Sequence, residues 1–350
     1  MTSMPWVDAE VARVGRLFAD GRLSHALLVG GPSGLGKRVF AEQLAQRILC
    51  RDPRDGLACG ECRDCRAFQN RYQLDELETA PDGSLAHPDG HPGHPDARFI
   101  GFAWKLKPKP KAMRKELVID QIRELSEWFY KSSHNGGAKI ALIRPAELLN
   151  ANAANALLKT LEEPQPGRFL MLIADRPERL AITLRSRCQR FSPRPPSRDD
   201  ALAWLASQGH AGETAQSALD LADGLPLRAI SYIEDDVIAL QEAVRRDLGN
   251  AATGKQAPFS LAKEWMADRP TLRLELAVAL VRNLGRKKLA AGKTPSDLTA
   301  RVDFPKLAAW ADRANRARSL FDTSIRHELL IGELLLDWRV AFSESSGQAA

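Results

Sequence analysis

Two clusters of residues in this sequence have the types and spacing to do chemistry. The first is Gly31-Pro-Ser-Gly-Leu-Gly-Lys-Arg38, which fits G-x-x-x-x-G-K at Gly31, Gly36 and Lys37, with a further glycine at Gly34. Glycines there let backbone amides close around a phosphate, and the following helix N-terminus favours an anion. Lys37 is placed to reach the β and γ oxygens of a nucleotide. The second cluster is Cys50-x8-Cys59-x2-Cys62-x2-Cys65. Four thiolates at this spacing suit tetrahedral Zn²⁺ in a structural role, because a closed four-sulfur site leaves no open position for a substrate. The C-x2-C-x2-C part also fits an iron–sulfur cluster, but the fourth ligand lies upstream and no proline follows the last cysteine. His87, His91 and His94 carry ligand chemistry too, yet they sit among Pro and Gly and read as decorating a loop. Cys188 stands alone and reads as a buried free thiol.

The phosphate loop lacks partners for Mg²⁺. The position after Lys37, where Ser or Thr supplies a metal-binding hydroxyl, is Arg38. An active ATPase of this kind also needs an Asp after the strand read at Lys139–Ile143, and this chain has Arg144-Pro145-Ala146-Glu147. Glu147 is acidic but lies three residues beyond the expected place. Two such losses argue against hydrolysis in cis and make ATP binding in cis doubtful, while leaving open some nucleotide binding through Lys37.

The elements that must position these residues follow from hydropathy. Leu27-Leu28-Val29 reads as a buried strand ending at Gly30-Gly31, and 39–49 as a helix. Residues 81–95 are dense in Pro, Gly, His and Asp and read as a loop. Lys105–Lys115 carries six basic residues, two prolines and no acid, and reads as an exposed arm within an insertion over about 73–115. Asp120 is placed to cap a helix running to Tyr130. Strands at 138–143 and 169–174 flank a helix over 151–163 that Pro164 stops. This alternation predicts an α/β core with a parallel sheet covered on both faces. After the proline-rich linker Ser192–Pro196 only helical periodicity remains. The expected layout is a P-loop domain over 1–195, a small helical domain over 196–240 and an all-α domain over 241–350.

Composition narrows the function classes. The 350 residues are 44% hydrophobic and 27% charged, with net charge +6. That permits a polyanion partner without demanding one. No apolar run approaches the roughly 20 residues of a membrane helix, and no secretory signal opens the chain, so a cytoplasmic protein without a membrane partner is expected. Five cysteines in that setting read as metal ligands or free thiols, not disulfides.

Several segments together resemble one family. They are Ser24-His-Ala-Leu-Leu28, the phosphate loop, the four cysteines, Asn155-Ala-Leu-Leu-Lys-Thr-Leu-Glu-Glu-Pro164 and Leu184-Arg-Ser-Arg-Cys188. The chain resembles the bacterial clamp-loader family, the AAA+ subunits of DNA polymerase III. Arg38 and Arg144-Pro145 set it apart from the hydrolysing γ/τ branch and nearest to the δ′ branch. The resemblance implies a P-loop (AAA+) core, a helical lid and an all-α collar. It implies a ring of five subunits containing γ/τ and δ, which loads a sliding clamp on primed DNA. It further implies that Arg187 is an arginine finger acting in trans on a neighbour's ATP, and that Arg228 lies near a sensor position. Ala174-Asp175 departs from the Thr or Asn that follows this strand in active members. A self-sufficient γ-like motor and a DNA-binding module built on the basic arm are the rival readings.

Overall fold

The computed structural model describes residues 4–72, 90–102, 104–105, 112–291, 304–321 and 326–343. Contacts divide the chain into two compact units, 1–211 with 222–229, and 212–221 with 230–350. The first unit begins with α1 (Pro5–Ala19), β1 (Ala26–Gly30), α2 (Lys37–Leu49) and α3 (Arg63–Gln69). Four short strands follow: β2 (Arg71–Tyr72), β3 (His91–Pro92), β4 (Ala97–Ile100) and β5 (Trp104–Lys105), then β6 (Ala112–Met113). Next come α4 (Ile119–Tyr130), β7 (Lys139–Ile143), α5 (Ala151–Glu162), β8 (Arg168–Ala174), α6 (Ile182–Arg185), β9 (Gln189–Phe191) and α7 (Arg198–Ser207).

Five of these strands form one sheet in the order β4-β7-β8-β1-β9, with every pairing parallel. The expected parallel sheet is therefore present, and the apolar runs at β1, β7 and β8 are its inner strands. All five residues of β1 are buried. One face packs Leu28, Ile143 and Leu172 against Ile122 and Leu125 of α4 and Leu157 and Leu161 of α5. On β1, β7 and β8 also packs α2, alongside α1. Burial on both faces is why these strands read as continuous hydrophobic runs. The outer strands β4 and β9 carry Arg98 and Arg190 and give no such run.

Register positions the site. Gly30 of β1 pairs with Ala174 of β8, so Gly31 and Asp175 leave neighbouring strands side by side. Leu172 of β8 pairs with Ile143 of β7, which brings the Arg144–Glu147 segment to the same edge.

Helix starts show one correction. Asp120 does not cap α4; the N-cap is Val118, whose N–H donates to Gln121 Oε1 at 3.1 Å. Asp120 lies in the first turn instead, where its charge suits the helix dipole. Two other starts, those of α5 and α7, do use polar side-chain caps: Asn150 accepts from the Ala153 N–H at 2.9 Å and Ser197 from the Asp200 N–H at 3.1 Å.

The second unit is helical among the described residues. It holds α8 (Gly212–Leu221), the end of α9 (Pro226–Glu234), α10 (Val237–Thr253), α11 (Pro258–Ala267), α12 (Pro270–Ala291), α13 (Phe304–Ser319) and α14 (His327–Ser343). Its core is built on Trp265, Trp310 and Trp338. The rings of Trp310 and Trp338 meet edge to face at 4.8 Å. Each indole N–H is satisfied: Trp310 by Leu334 O at 2.7 Å, Trp338 by Leu248 O at 3.0 Å and Trp265 by Asp247 Oδ2 at 3.0 Å. No helix among the described residues is long and apolar enough to cross a membrane. His87 and most of the insertion over 73–115, including Lys107, Lys109 and Lys111 of the basic arm, lie outside the described residues.

Candidate functional site

Gly31, Gly34 and Gly36 all take positive φ, at 139°, 88° and 91°, so the loop needs glycine at each. Lys37 opens α2 and is buried, with 4% of its side chain exposed. Its ammonium donates to Pro32 O at 2.7 Å and to Asp175 Oδ1 at 2.7 Å. Arg38 turns along α2 to Glu42, 2.6 Å away, and Glu42 also meets Arg71 at 2.8 Å. Glu147 accepts the Asp175 and Arg176 N–H groups through Oε1, at 2.8 and 3.1 Å. Arg228 lies against the loop: a Cβ on Gly34 would stand 2.5 Å from Arg228 Cβ.

Arg187 follows α6, away from Lys37 in sequence and in bonding. Its guanidinium meets Glu162 Oε1 at 2.6 Å and donates to Thr183 O at 3.0 Å. The pair is open to solvent, with 38% and 50% of the two side chains exposed. Cys188 beside it is buried, and that burial pushes its thiol up to about 11.

The four cysteines do come together. Their sulfurs all lie within 4.8 Å of one another, with Cys50–Cys59 at 3.5 Å, Cys59–Cys65 at 3.9 Å and Cys50–Cys62 at 4.0 Å. Tetrahedral ligation at about 2.3 Å separates sulfurs by about 3.8 Å, so the donor set fits a metal ion such as zinc. The N–H of Cys59 donates to Cys50 Sγ at 3.3 Å, that of Cys62 to Cys59 Sγ at 3.3 Å and that of Cys65 to Cys62 Sγ at 3.4 Å. Burial pushes the Cys65 and Cys50 thiols up. Burial also works against the Cys62 thiolate, but hydrogen bonds led by the N–H groups of Arg51 and Cys65 outweigh it and hold that group near about 6.

A polar network behind the cysteines was not legible in the sequence. Asp64, next to Cys65, is 2% exposed. It accepts from Arg51 Nε, from Asn135 Nδ2 at 2.7 Å and from His94 Nε2 at 3.2 Å. His94 Nδ1 in turn accepts the Asp96 N–H at 3.0 Å. His94 and His91 are therefore not loop decoration: both are buried, because β3 and the turn into β4 fold onto α3.

A phosphate loop at the end of β1, a parallel five-stranded sheet and a following helical unit define a P-loop protein of the AAA+ type. The family described as "DNA polymerase III, delta subunit" matches residues 8–196, more than half of the chain. The DNA polymerase III subunit delta′ of Pseudomonas aeruginosa is 34% identical over 277 residues, covering 75% of each chain. That of Escherichia coli is 29% identical over 351 residues, covering 95% of this chain and 94% of the relative. A Buchnera aphidicola DNA polymerase III subunit gamma is 28% identical over 196 residues, covering 56% and 45%. The chain belongs to the δ′ family of the DNA polymerase III clamp loader.

Proposed function

We propose that this chain is a non-hydrolysing δ′ subunit that donates Arg187 in trans to ATP held by a neighbouring γ/τ subunit. The observation that carries this reading is the contrast between two cations. Lys37 is buried and paired inside its own loop, whereas Arg187 is exposed and held by a solvent-open ion pair with Glu162. Exposed pairs of that kind contribute only about 0–1 kcal/mol, so the guanidinium exchanges partners at little cost. Placed on a γ-phosphate, it stabilises the charge that develops during transfer. The missing metal ligands at Arg38 and Arg144 support the same division of labour.

The partners are γ/τ and δ in a five-subunit ring, together with the sliding clamp and primed DNA. Residues 196–240 serve as lid and 241–350 as collar. Zn²⁺ bound by Cys50, Cys59, Cys62 and Cys65 is structural: it neutralises the thiolates and staples the loop between α2 and α3. Arg187→Ala in a ring reconstituted with γ/τ and δ tests the finger. DNA- and clamp-stimulated ATP turnover falls if the reading holds, and unchanged turnover refutes it. Turnover by the isolated chain that vanishes with Lys37→Ala points to a γ-like motor instead.

A further inference from the structure

The phosphate loop carries its own anion. We infer that Asp175 is an internal counter-ion standing where a nucleotide phosphate would meet Lys37, fixed there by Glu147, and that the three residues together close the loop. The inference deepens the non-hydrolysing reading and is independent of the role of Arg187.

The residues that read separately as departures from an active site form one assembly. Asp175 follows β8 where active members place Thr or Asn, and its carboxylate lies 2.7 Å from Lys37 Nζ. Glu147, the displaced acid after β7, turns its Oε1 to the backbone just beyond β8. Its Oε1 binds the backbone N–H groups of Asp175 and Arg176, which sets the direction of the Asp175 side chain. Pro32 O takes a second lysine proton. A γ- or β-phosphate reaching Lys37 must displace a carboxylate of the same sign from a lysine that is nearly sealed from water.

Packing closes the loop from two more sides. Arg228 at the start of α9 leaves no room for a side chain on Gly34, since a Cβ would stand 2.9 Å from the Arg228 N and 2.5 Å from its Cβ. At Gly36 a Cβ would stand 3.0 Å from Val7 Cγ2 and 3.5 Å from Met4 Sδ, so the start of α1 covers the other end. The ligand class the site would take, once freed of Asp175, is a phosphate-bearing anion.

Calorimetric titration of the full chain with pyrophosphate, and separately with ATP, both without magnesium, tests this. The native chain should show no saturation at millimolar probe. Asp175→Asn, which keeps the shape and removes the charge, should bind about tenfold tighter or more, and Lys37→Met in the same chain should abolish the gain. Binding by the native chain as tight as by Asp175→Asn overturns the inference, as does no gain in Asp175→Asn. Acetylation of Lys37, read by mass spectrometry, gives an independent measure should the variant bind poorly for reasons of folding. Glu147→Ala should label Lys37 severalfold faster than the native chain, and equal rates count against Glu147 as the fixing residue. Stimulated turnover in the Arg187→Ala ring is unaffected by any of these outcomes, so failure here and failure of the finger are separable.

Discussion

Replacing Asp64 by alanine should loosen the cysteine module and the strand beside it, and the structure sets the size of the effect. Asp64 is buried and accepts two hydrogen bonds, one from the partly buried Asn135 Nδ2 at 2.7 Å and one from the buried His94 Nε2 at 3.2 Å. His94 Nδ1 is already taken by the Asp96 N–H, so the ring proton sits on Nε2 and faces Asp64. The Asp64→Ala change leaves both donors without an acceptor, at about 1–3 kcal/mol each. The ion pair with Arg51 adds little, since 58% of that arginine side chain is exposed. With the partly buried Asn135 at the low end of that range, the total is about 2–4 kcal/mol. At about 2–4 °C per kcal/mol for a unit of this size, calorimetry on the full chain should show the first unit melting roughly 4–16 °C lower. Asp64→Asn, which keeps one acceptor, should fall between. A shift under about 2 °C for the alanine variant would mean that the network carries no weight and that the cysteines alone hold the module.

Three further outcomes follow from the same geometry. Metal analysis of the purified chain should find about one equivalent of zinc, and its removal by a chelator should expose four thiols to alkylation; iron, or no metal, contradicts the site. Cys188, with its thiol near about 11, should resist iodoacetamide. At pH 8 only about one part in a thousand is thiolate, so its rate should climb about tenfold per pH unit up to about 11, whereas a plateau near pH 9 would show an exposed thiol. Lys139→Met should destabilise the first unit by about 1–3 kcal/mol in urea unfolding, because Lys139 Nζ holds the Trp128 and Lys131 carbonyls at the end of α4, at 2.7 and 3.0 Å. A neutral result there would mean that Arg168, which bonds Phe129 O and Lys131 O, suffices alone.

What the sequence made legible was local. β1, β7 and β8 announce themselves because both faces are buried, while β4 and β9 are short edge strands whose arginines break the apolar run. The phosphate loop and the cysteine cluster are legible because their ligands lie within a few residues of one another. The partners that decide what these clusters do come from far along the chain. Asp175 reaches Lys37 only through the pairing of β8 with β1, and His94 reaches Asp64 only because β3 and β4 fold back onto α3. Asp120 reads as a cap by residue type, but the N-cap of α4 lies two residues earlier, where the Gln121 side chain closes on the Val118 N–H. Arg187 has no local signature separating it from Arg185 or Arg190; the family resemblance singles it out, and its solvent-open pair with Glu162 is the structural feature consistent with that choice.

The most direct test places the two cations side by side in a reconstituted loader. Single-turnover ATP hydrolysis, stimulated by clamp and primed DNA, would be followed with Lys37→Met and with Arg187→Ala in this subunit. The prediction is that Lys37→Met leaves the rate unchanged and Arg187→Ala lowers it sharply. A loss with Lys37→Met and none with Arg187→Ala would return the phosphate chemistry to this chain's own loop.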